Sequence, residues 1–151
     1  MPRKELHQAE HRAGRKLLCQ ALGCNEADVL IASGGKPYLP GGPHFSISHS
    51  HGFVLLAVCG DSSIGCDVEP ITRTVHNEEA ILRKLLPIGA DTKSTCENQS
   101  FLKLWVAHEA MFKSGLGKTG QVIYPNMPEG WVAAVCCAKN NNELRIMHYE
   151  L

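Results

Sequence analysis

Apolar residues recur at helical spacing near the start of the chain, at Leu6, Ala9, Ala13, Leu17 and Ala21. This spacing predicts an amphipathic helix over residues 4–22, and Gly23 is a typical helix end. A short helical turn is predicted at residues 26–29. The density of glycine and proline across residues 33–43 predicts an irregular loop.

Short apolar runs separated by turn residues follow, and they predict strands at residues 44–50, 53–60 and 63–70. The first two form a predicted hairpin through Ser50-His51-Gly52. Helical patterns lie at 78–86 and 101–114, with a predicted polar loop at 89–99 between them. Strand patterns at 121–124, 131–138 and 143–149 complete the order. The predicted fold class is α+β, with an antiparallel sheet packed against a long helix.

The charge balance narrows the classes of partner. The 151 residues include 15 Lys and Arg against 15 Asp and Glu, so the formal net charge is zero. Such a chain has no global field that would hold nucleic acid or an anionic membrane, and we expect neither as a partner. No apolar run approaches the roughly 18 residues of a membrane span, and the first residues lack a signal-peptide pattern. The chain has seven cysteines, an odd number, and no CxxC motif, so we expect buried reduced thiols rather than disulfides or a zinc ribbon. Reduced thiols are typical of the cytoplasm, which is the expected location.

Two carboxylates alternate along the third predicted strand. Asp67 and Glu69 project from one face, while Cys66 and Val68 project from the other. Like charges at this distance repel each other, and a hard cation relieves that repulsion. A solvent-exposed strand end would give the same pattern, so both interpretations stay open here.

The long predicted helix carries Trp105, Glu109 and Lys113 on one face, at i, i+4 and i+8. Glu109 is a candidate third oxygen ligand, and Lys113 is a candidate contact for a phosphate on the same metal. The alternative is an ordinary surface Glu–Lys pair. Carboxylates suit Mg²⁺ better than zinc. His49 and His51 lack a cysteine or third histidine at zinc-site spacing.

Four segments in this order resemble the 4′-phosphopantetheinyl transferase superfamily: GKP at 35–37, FSISHS at 45–50, IGCDVE at 64–69 and WVAHEAMFK at 105–113. Their order and spacing are similar to those of the surfactin-synthetase-activating type. The resemblance implies a 4′-phosphopantetheinyl transferase-like fold. It also implies an enzyme that transfers 4′-phosphopantetheine from coenzyme A to a serine of an apo acyl or peptidyl carrier protein. Mg²⁺ would be the cofactor, and 3′,5′-ADP the product released.

The resemblance also implies roles for residues of the last two segments. Asp67, Glu69 and Glu109 correspond to the magnesium ligands, and we expect Asp67 and Glu109 to be partly exposed. Glu109 is also the candidate base for the attacking serine. Lys113 corresponds to the lysine that stabilises charge on the phosphate. His108 stands where the family usually has a lysine and supplies less positive charge when neutral.

Binding of coenzyme A is implied for the first two segments. Ser48 and His49 correspond to residues that contact the 3′-phosphate, and Lys36 is expected near the nucleotide. Arg12 and Arg15 of the first predicted helix are further candidates for the phosphate pocket.

The resemblance implies two parts that form one compact unit. Residues 1–62 correspond to a shortened N-terminal half, and residues 63–151 to the C-terminal half with the metal site. Whether the chain acts as a monomer or a homo-oligomer stays open. Two other classes also stay open: a catalytically degenerate homologue that binds coenzyme A or a carrier protein, and a non-enzymatic metal-binding or interaction domain.

Overall fold

The computed structural model describes residues 1–85, 98–140 and 143–151. Within these ranges the helices are α1 (Arg3–Leu22), α2 (Glu78–Leu85) and α3 (Asn98–Ser114). The strands are β1 (Leu30–Ile31), β2 (Pro37–Tyr38), β3 (His44–Ser50), β4 (Phe53–Cys59), β5 (Gly65–Pro70), β6 (Gly120–Ile123), β7 (Trp131–Ala138) and β8 (Leu144–Glu150). Single 3₁₀ turns lie at Glu26–Asp28 and Gly117–Thr119.

The strands form two antiparallel sheets of three strands each, in the orders β3-β4-β8 and β5-β7-β6, and β1 pairs with β2. The hairpin from β3 to β4 has a two-residue turn at His51 and Gly52, with φ of 49° and 86°. Two successive positive φ values are typical of a type I′ turn, which matches the twist of the flanking strands. This turn fixes the register of the segment that carries His49.

The main core lies between the two three-stranded sheets. Alternate residues of β4 meet side chains of β5 and β7 there: Phe53, Leu55, Ala57 and Cys59 against Cys66, Val68, Ala133, Val135 and Cys137. On the outer side of the first sheet, Leu18 of α1 packs with Leu56 and Val58 of β4. On the outer side of the second sheet, Val106 and Ala110 of α3 pack on Ala134 of β7. The α+β class, with antiparallel sheets against a long helix, is confirmed.

Strands β3 and β5 lie side by side although they belong to different sheets. The hydroxyl of Ser46 accepts a hydrogen bond from the amide of Cys66 (3.1 Å), and the hydroxyl of Ser48 accepts one from Val68 (3.3 Å). Both pairs are 20 residues apart, so the two strands run in the same direction here. Serine hydroxyls of β3 therefore accept the hydrogen bonds of two backbone amides on this edge of β5, where a backbone carbonyl would accept them in a regular sheet.

Several boundaries differ from those predicted. Helix α3 begins at Asn98, three residues before the predicted start. The predicted irregular loop contains the short strand β2 at residues 37–38. This strand pairs with β1, with Tyr38 opposite Leu30. Most of the predicted loop at 89–99 lies outside the described residues, and its last two positions belong to α3. None of the helices described here is long and apolar enough to cross a membrane.

Candidate active site

Strand β5 presents Gly65, Asp67 and Glu69 to α3, because Cys66 and Val68 point into the core between the sheets. A β-carbon on Gly65 would lie 2.2 Å from the carbonyl oxygen of Ala110 and 2.5 Å from the amide nitrogen of Ser114. Only glycine therefore allows α3 to lie this close to β5. The close approach brings the last turn of α3 to the carboxylate of Asp67.

The carboxylate of Asp67 contacts side chains from two other sequence segments, FSISHS and WVAHEAMFK. Its Oδ1 accepts hydrogen bonds from the Ser48 hydroxyl (3.1 Å) and the Lys113 ammonium (3.1 Å). Lys113 also donates to the carbonyl of Cys66 (3.1 Å). Asp67 is 7% exposed, and its Oδ2 is buried with no hydrogen-bond partner in the described part of the chain. The expectation that Asp67 would be partly exposed is wrong, because β3 and α3 cover it from both sides.

Glu69 is also buried, at 6% exposure, but it has different partners. Its Oε2 accepts a hydrogen bond from the Ser50 hydroxyl (3.0 Å), and its Oε1 pairs with the guanidinium of Arg73. Burial raises the pKa of Glu69, and the nearby Asp67 adds to this, while Arg73 opposes it. Arg73 was not among the predicted site residues, and its guanidinium lies 5.9 Å from the ring centre of Trp105.

Helix α3 places Glu109 one turn before Lys113, partly exposed as expected, and His108 beside it on the exposed surface. Among the described residues, the oxygens of Asp67, Glu69 and Glu109 do not all lie within 4.8 Å of one another. The two buried carboxylates instead have cations of the chain as partners, Lys113 for Asp67 and Arg73 for Glu69. These protein cations offset the repulsion that the sequence pattern indicated.

Glu10 of α1 holds the hairpin that carries His49. One oxygen of this buried carboxylate accepts a hydrogen bond from the amide of Gly52 (2.6 Å). The other oxygen lies 2.9 Å from Nδ1 of His49. Burial lowers the pKa of His49; Glu10 opposes this shift, and the nearby His7 adds to it. Nδ1 of His49 is directed at Glu10, and this histidine lines a cleft, so its other ring nitrogen is the one that a ligand in the cleft could contact.

A cleft of about 780 Å³ lies beside this hairpin, lined among others by Arg3, His7, His49, Glu69 and Arg73. Of these residues, His49 is a predicted phosphate contact and Glu69 is a predicted metal ligand. Neither Arg3 nor Arg73 was among the predicted site residues. Arg3, His7 and Glu10 follow one another at i, i+4 and i+7 on α1, a spacing that places them on one helix face. That spacing is visible in the sequence, but it does not say what the face packs against.

Other predicted contacts lie elsewhere or are already engaged. Arg12 lines a separate groove with Lys16 and Tyr149, and half-buried Arg15 is near Cys19 rather than among the residues that line the cleft. Lys36 donates to the carbonyls of Ile64 (2.6 Å) and Lys113 (3.0 Å), and burial lowers its pKa. Its ammonium therefore ties the connection between β1 and β2 to the end of α3 and to the residue before β5.

Ser48, expected at the 3′-phosphate, has a hydroxyl that is already used. Its single O–H donates to Asp67, and its oxygen accepts the amide of Val68. The structure therefore gives Ser48 a contact with Asp67 that its sequence motif did not indicate.

No protein-family model matches the chain. The chain is 26% identical over 125 residues to the 4′-phosphopantetheinyl transferase AcpT of Salmonella typhi, and equally to that of Salmonella typhimurium. The alignment covers 78% of this chain and 64% of each relative, so the chain spans less than two thirds of their length. This similarity supports a relationship to the 4′-phosphopantetheinyl transferase superfamily, independently of the geometry of Asp67.

Proposed function

We propose that the chain transfers the 4′-phosphopantetheine group of coenzyme A to a serine of an apo acyl or peptidyl carrier protein and releases 3′,5′-ADP. The observation that carries the proposal is the position of Asp67. Its carboxylate is held between Ser48 of the FSISHS segment and Lys113 of the WVAHEAMFK segment. The similarity to the two AcpT transferases supports the same reaction class.

The chemistry of these carboxylates, though not their present spacing, fits a magnesium ion. The buried Oδ2 of Asp67 has no hydrogen-bond partner within the described ranges, so it is available to a cation. Asp67, Glu69 and Glu109 offer the hard oxygen donors that Mg²⁺ prefers, and Mg²⁺ commonly adds substrate phosphates to its shell. Bound there, Mg²⁺ would neutralise charge that develops on the diphosphate of coenzyme A. In this proposal Glu69 gives up part of its pairing with Arg73.

Residues of α3 supply the remaining chemistry. Glu109 is partly exposed and accepts the proton of the attacking serine hydroxyl, directly or through water. An ammonium has three N–H donors, and two of those on Lys113 point to Asp67 and to the carbonyl of Cys66. The third stabilises charge on the transferred phosphate. His108 lies on the exposed surface beside this site and adds positive charge only when protonated.

The cleft beside the β3–β4 hairpin binds the nucleotide end of coenzyme A. His49 contacts the 3′-phosphate, and Arg3 and Arg73 add positive charge along the same wall. Ser48 acts through Asp67, and Lys36 fixes the loop near the end of α3. Exposed Arg12 and half-buried Arg15 lie on α1 outside the set of cleft residues, and basic charge there favours docking of an acidic carrier protein.

The same proposal covers the type of transferase, its location and the roles of the two halves of the chain. The chain is of the surfactin-synthetase-activating type and acts in the cytoplasm. Residues 1–62 form the shortened N-terminal half, and residues 63–151 form the half with the metal site. Serine contacts between β3 and β5 join these halves, which supports one compact unit.

A second candidate is a degenerate homologue that binds coenzyme A or a carrier protein without catalysis. The pairing of Glu69 with Arg73 favours it, because an occupied carboxylate is a poorer metal ligand. It predicts binding of coenzyme A with no transferred group.

Intact mass spectrometry of apo carrier proteins separates the two candidates. Each carrier is incubated with the chain, coenzyme A and Mg²⁺, with EDTA in a parallel sample. Transfer predicts a mass increase of one phosphopantetheine that EDTA abolishes. Unmodified carriers together with measurable binding of coenzyme A would support the degenerate homologue and contradict the transferase.

A further inference from the structure

A group of side chains of the types that ligate metals lies in the cleft beside the β3–β4 hairpin, apart from Asp67. His7 and Glu10 of α1 and His49 of β3 each offer a ligand atom, and these atoms all lie within 4.8 Å of one another. The rings of His7 and His49 meet edge to face, with centroids 5.0 Å apart. The three residues come from two elements that the packing of α1 on the first sheet holds together.

Two imidazole nitrogens and one carboxylate oxygen suit zinc and related transition-metal ions, and they suit Mg²⁺ poorly. Tetrahedral ligand atoms about 2.0–2.1 Å from zinc are roughly 3.3 Å apart. Nδ1 of His49 and the nearer oxygen of Glu10 are 2.9 Å apart, so they need to separate only slightly. His7 is exposed, and its side chain can adjust to complete the site.

The surroundings of Glu10 also resemble those of a metal ligand. Its other oxygen accepts the amide of Gly52 at 2.6 Å, which fixes the orientation of the carboxylate. Hydrogen bonds of this kind commonly orient ligands in metal sites.

We propose that His7, Glu10 and His49 form a binding site for a divalent transition-metal ion of the zinc class. On binding, a metal–nitrogen bond forms at Nδ1 of His49 in place of its contact with Glu10. A protonated ring releases the Nδ1 proton to solvent, whereas a neutral ring binds as the tautomer that carries its proton on Nε2. The fourth position faces the cleft and takes a water molecule. The site shares His49 with the proposed 3′-phosphate contact but uses none of Asp67, Glu69 and Glu109, so metal binding here can be tested without the transfer reaction.

The test is calorimetric titration of the reduced full chain with Zn²⁺, repeated on variants. His7→Gln removes an exposed ligand without disturbing the core, and we expect it to weaken one equivalent of Zn²⁺ binding at least tenfold. Glu10→Gln should weaken the same equivalent, while thermal unfolding reports whether the hairpin is still held. His44→Gln, at the other end of β3, is the matched control and should bind as the unmodified chain does.

Thiols are the main competing ligands, because the sulfurs of Cys19 and Cys24 lie 3.7 Å apart. Co²⁺ distinguishes binding at these thiols from binding at His7, Glu10 and His49, since only thiolate ligation gives a sulfur-to-metal charge-transfer band. The proposal predicts a Co²⁺ complex without this band that persists in Cys19→Ser and is lost in His7→Gln. It is overturned if the chain binds no Zn²⁺, or if His7→Gln binds Zn²⁺ as tightly as the unmodified chain.

Discussion

The ammonium of Lys113 lies 3.1 Å from Oδ1 of Asp67, and this pair joins the last turn of α3 to the middle of β5. The side chain of Lys113 is 33% exposed and that of Asp67 is 10% exposed, so the pair is less screened than a surface ion pair. The same pair neutralises a buried carboxylate and aims a lysine at the proposed phosphate site.

A double-mutant cycle measures what this pair contributes to stability. Lys113→Met and Asp67→Asn should each destabilise the chain, because each leaves a polar partner without its counterion. We expect a coupling free energy of about 1–2 kcal/mol, between the values typical of surface and buried pairs. Urea unfolding of the four proteins provides the measurement. Strictly additive effects would show that the contact contributes nothing.

Gly65→Ala tests the close approach of α3 to β5. The new β-carbon would collide with the backbone of Ala110 and Ser114, which cannot move without shifting the helix. We expect a loss of about 1–3 kcal/mol in the free energy of unfolding and slower transfer, since Lys113 would move with α3. Gly34→Ala is the control, because a β-carbon there meets nothing within 4 Å. Equal stability of the two variants would rule out the steric account.

His49→Ala tests the proposed contact with the 3′-phosphate. Coenzyme A carries this phosphate and dephospho-coenzyme A lacks it, so the variant should lose activity selectively on coenzyme A. The loss of one hydrogen bond to a charged group predicts about a 10- to 100-fold lower kcat/KM for coenzyme A. Rates with both substrates are compared with those of His44→Ala. A similar loss on both substrates would mean that His49 does not recognise the 3′-phosphate.

Much of the fold follows from periodicity in the sequence, since α1, the β3–β4 hairpin, β5 and α3 lie close to their predicted positions. Periodicity assigns Asp67 and Glu69 to one face of a strand, but it does not say which element covers that face. Glu10 was missed for this reason: a glutamate in a basic helix is usually solvated, and its burial depends on the distant Gly52. Arg73 was missed because its partner, Glu69, was interpreted only as a metal ligand.

Burial raises the pKa of the Cys66 thiol from its ordinary value of 9.0 to about 11. The folded chain therefore holds this proton more tightly than the unfolded chain, and the resulting stability is fully present below about pH 9. It is lost as the pH rises from about 9 towards 11, at about 1 kcal/mol per pH unit. Urea unfolding across this range should give a steeper decline for the unmodified chain than for Cys66→Ala. Parallel declines in the two proteins would contradict the raised pKa.

The central claim is that the carboxylate of Asp67 serves phosphopantetheine transfer, and one comparison tests it most directly. Transfer to an apo carrier protein is followed by intact mass at several Mg²⁺ concentrations for Asp67→Asn and for Asp61→Asn, which makes the same change at an exposed position. Asparagine at position 67 keeps the size of the side chain and removes its charge. The account predicts transfer at least about 100-fold slower for Asp67→Asn and within twofold of the unmodified chain for Asp61→Asn. Normal magnesium-dependent transfer by Asp67→Asn would contradict it.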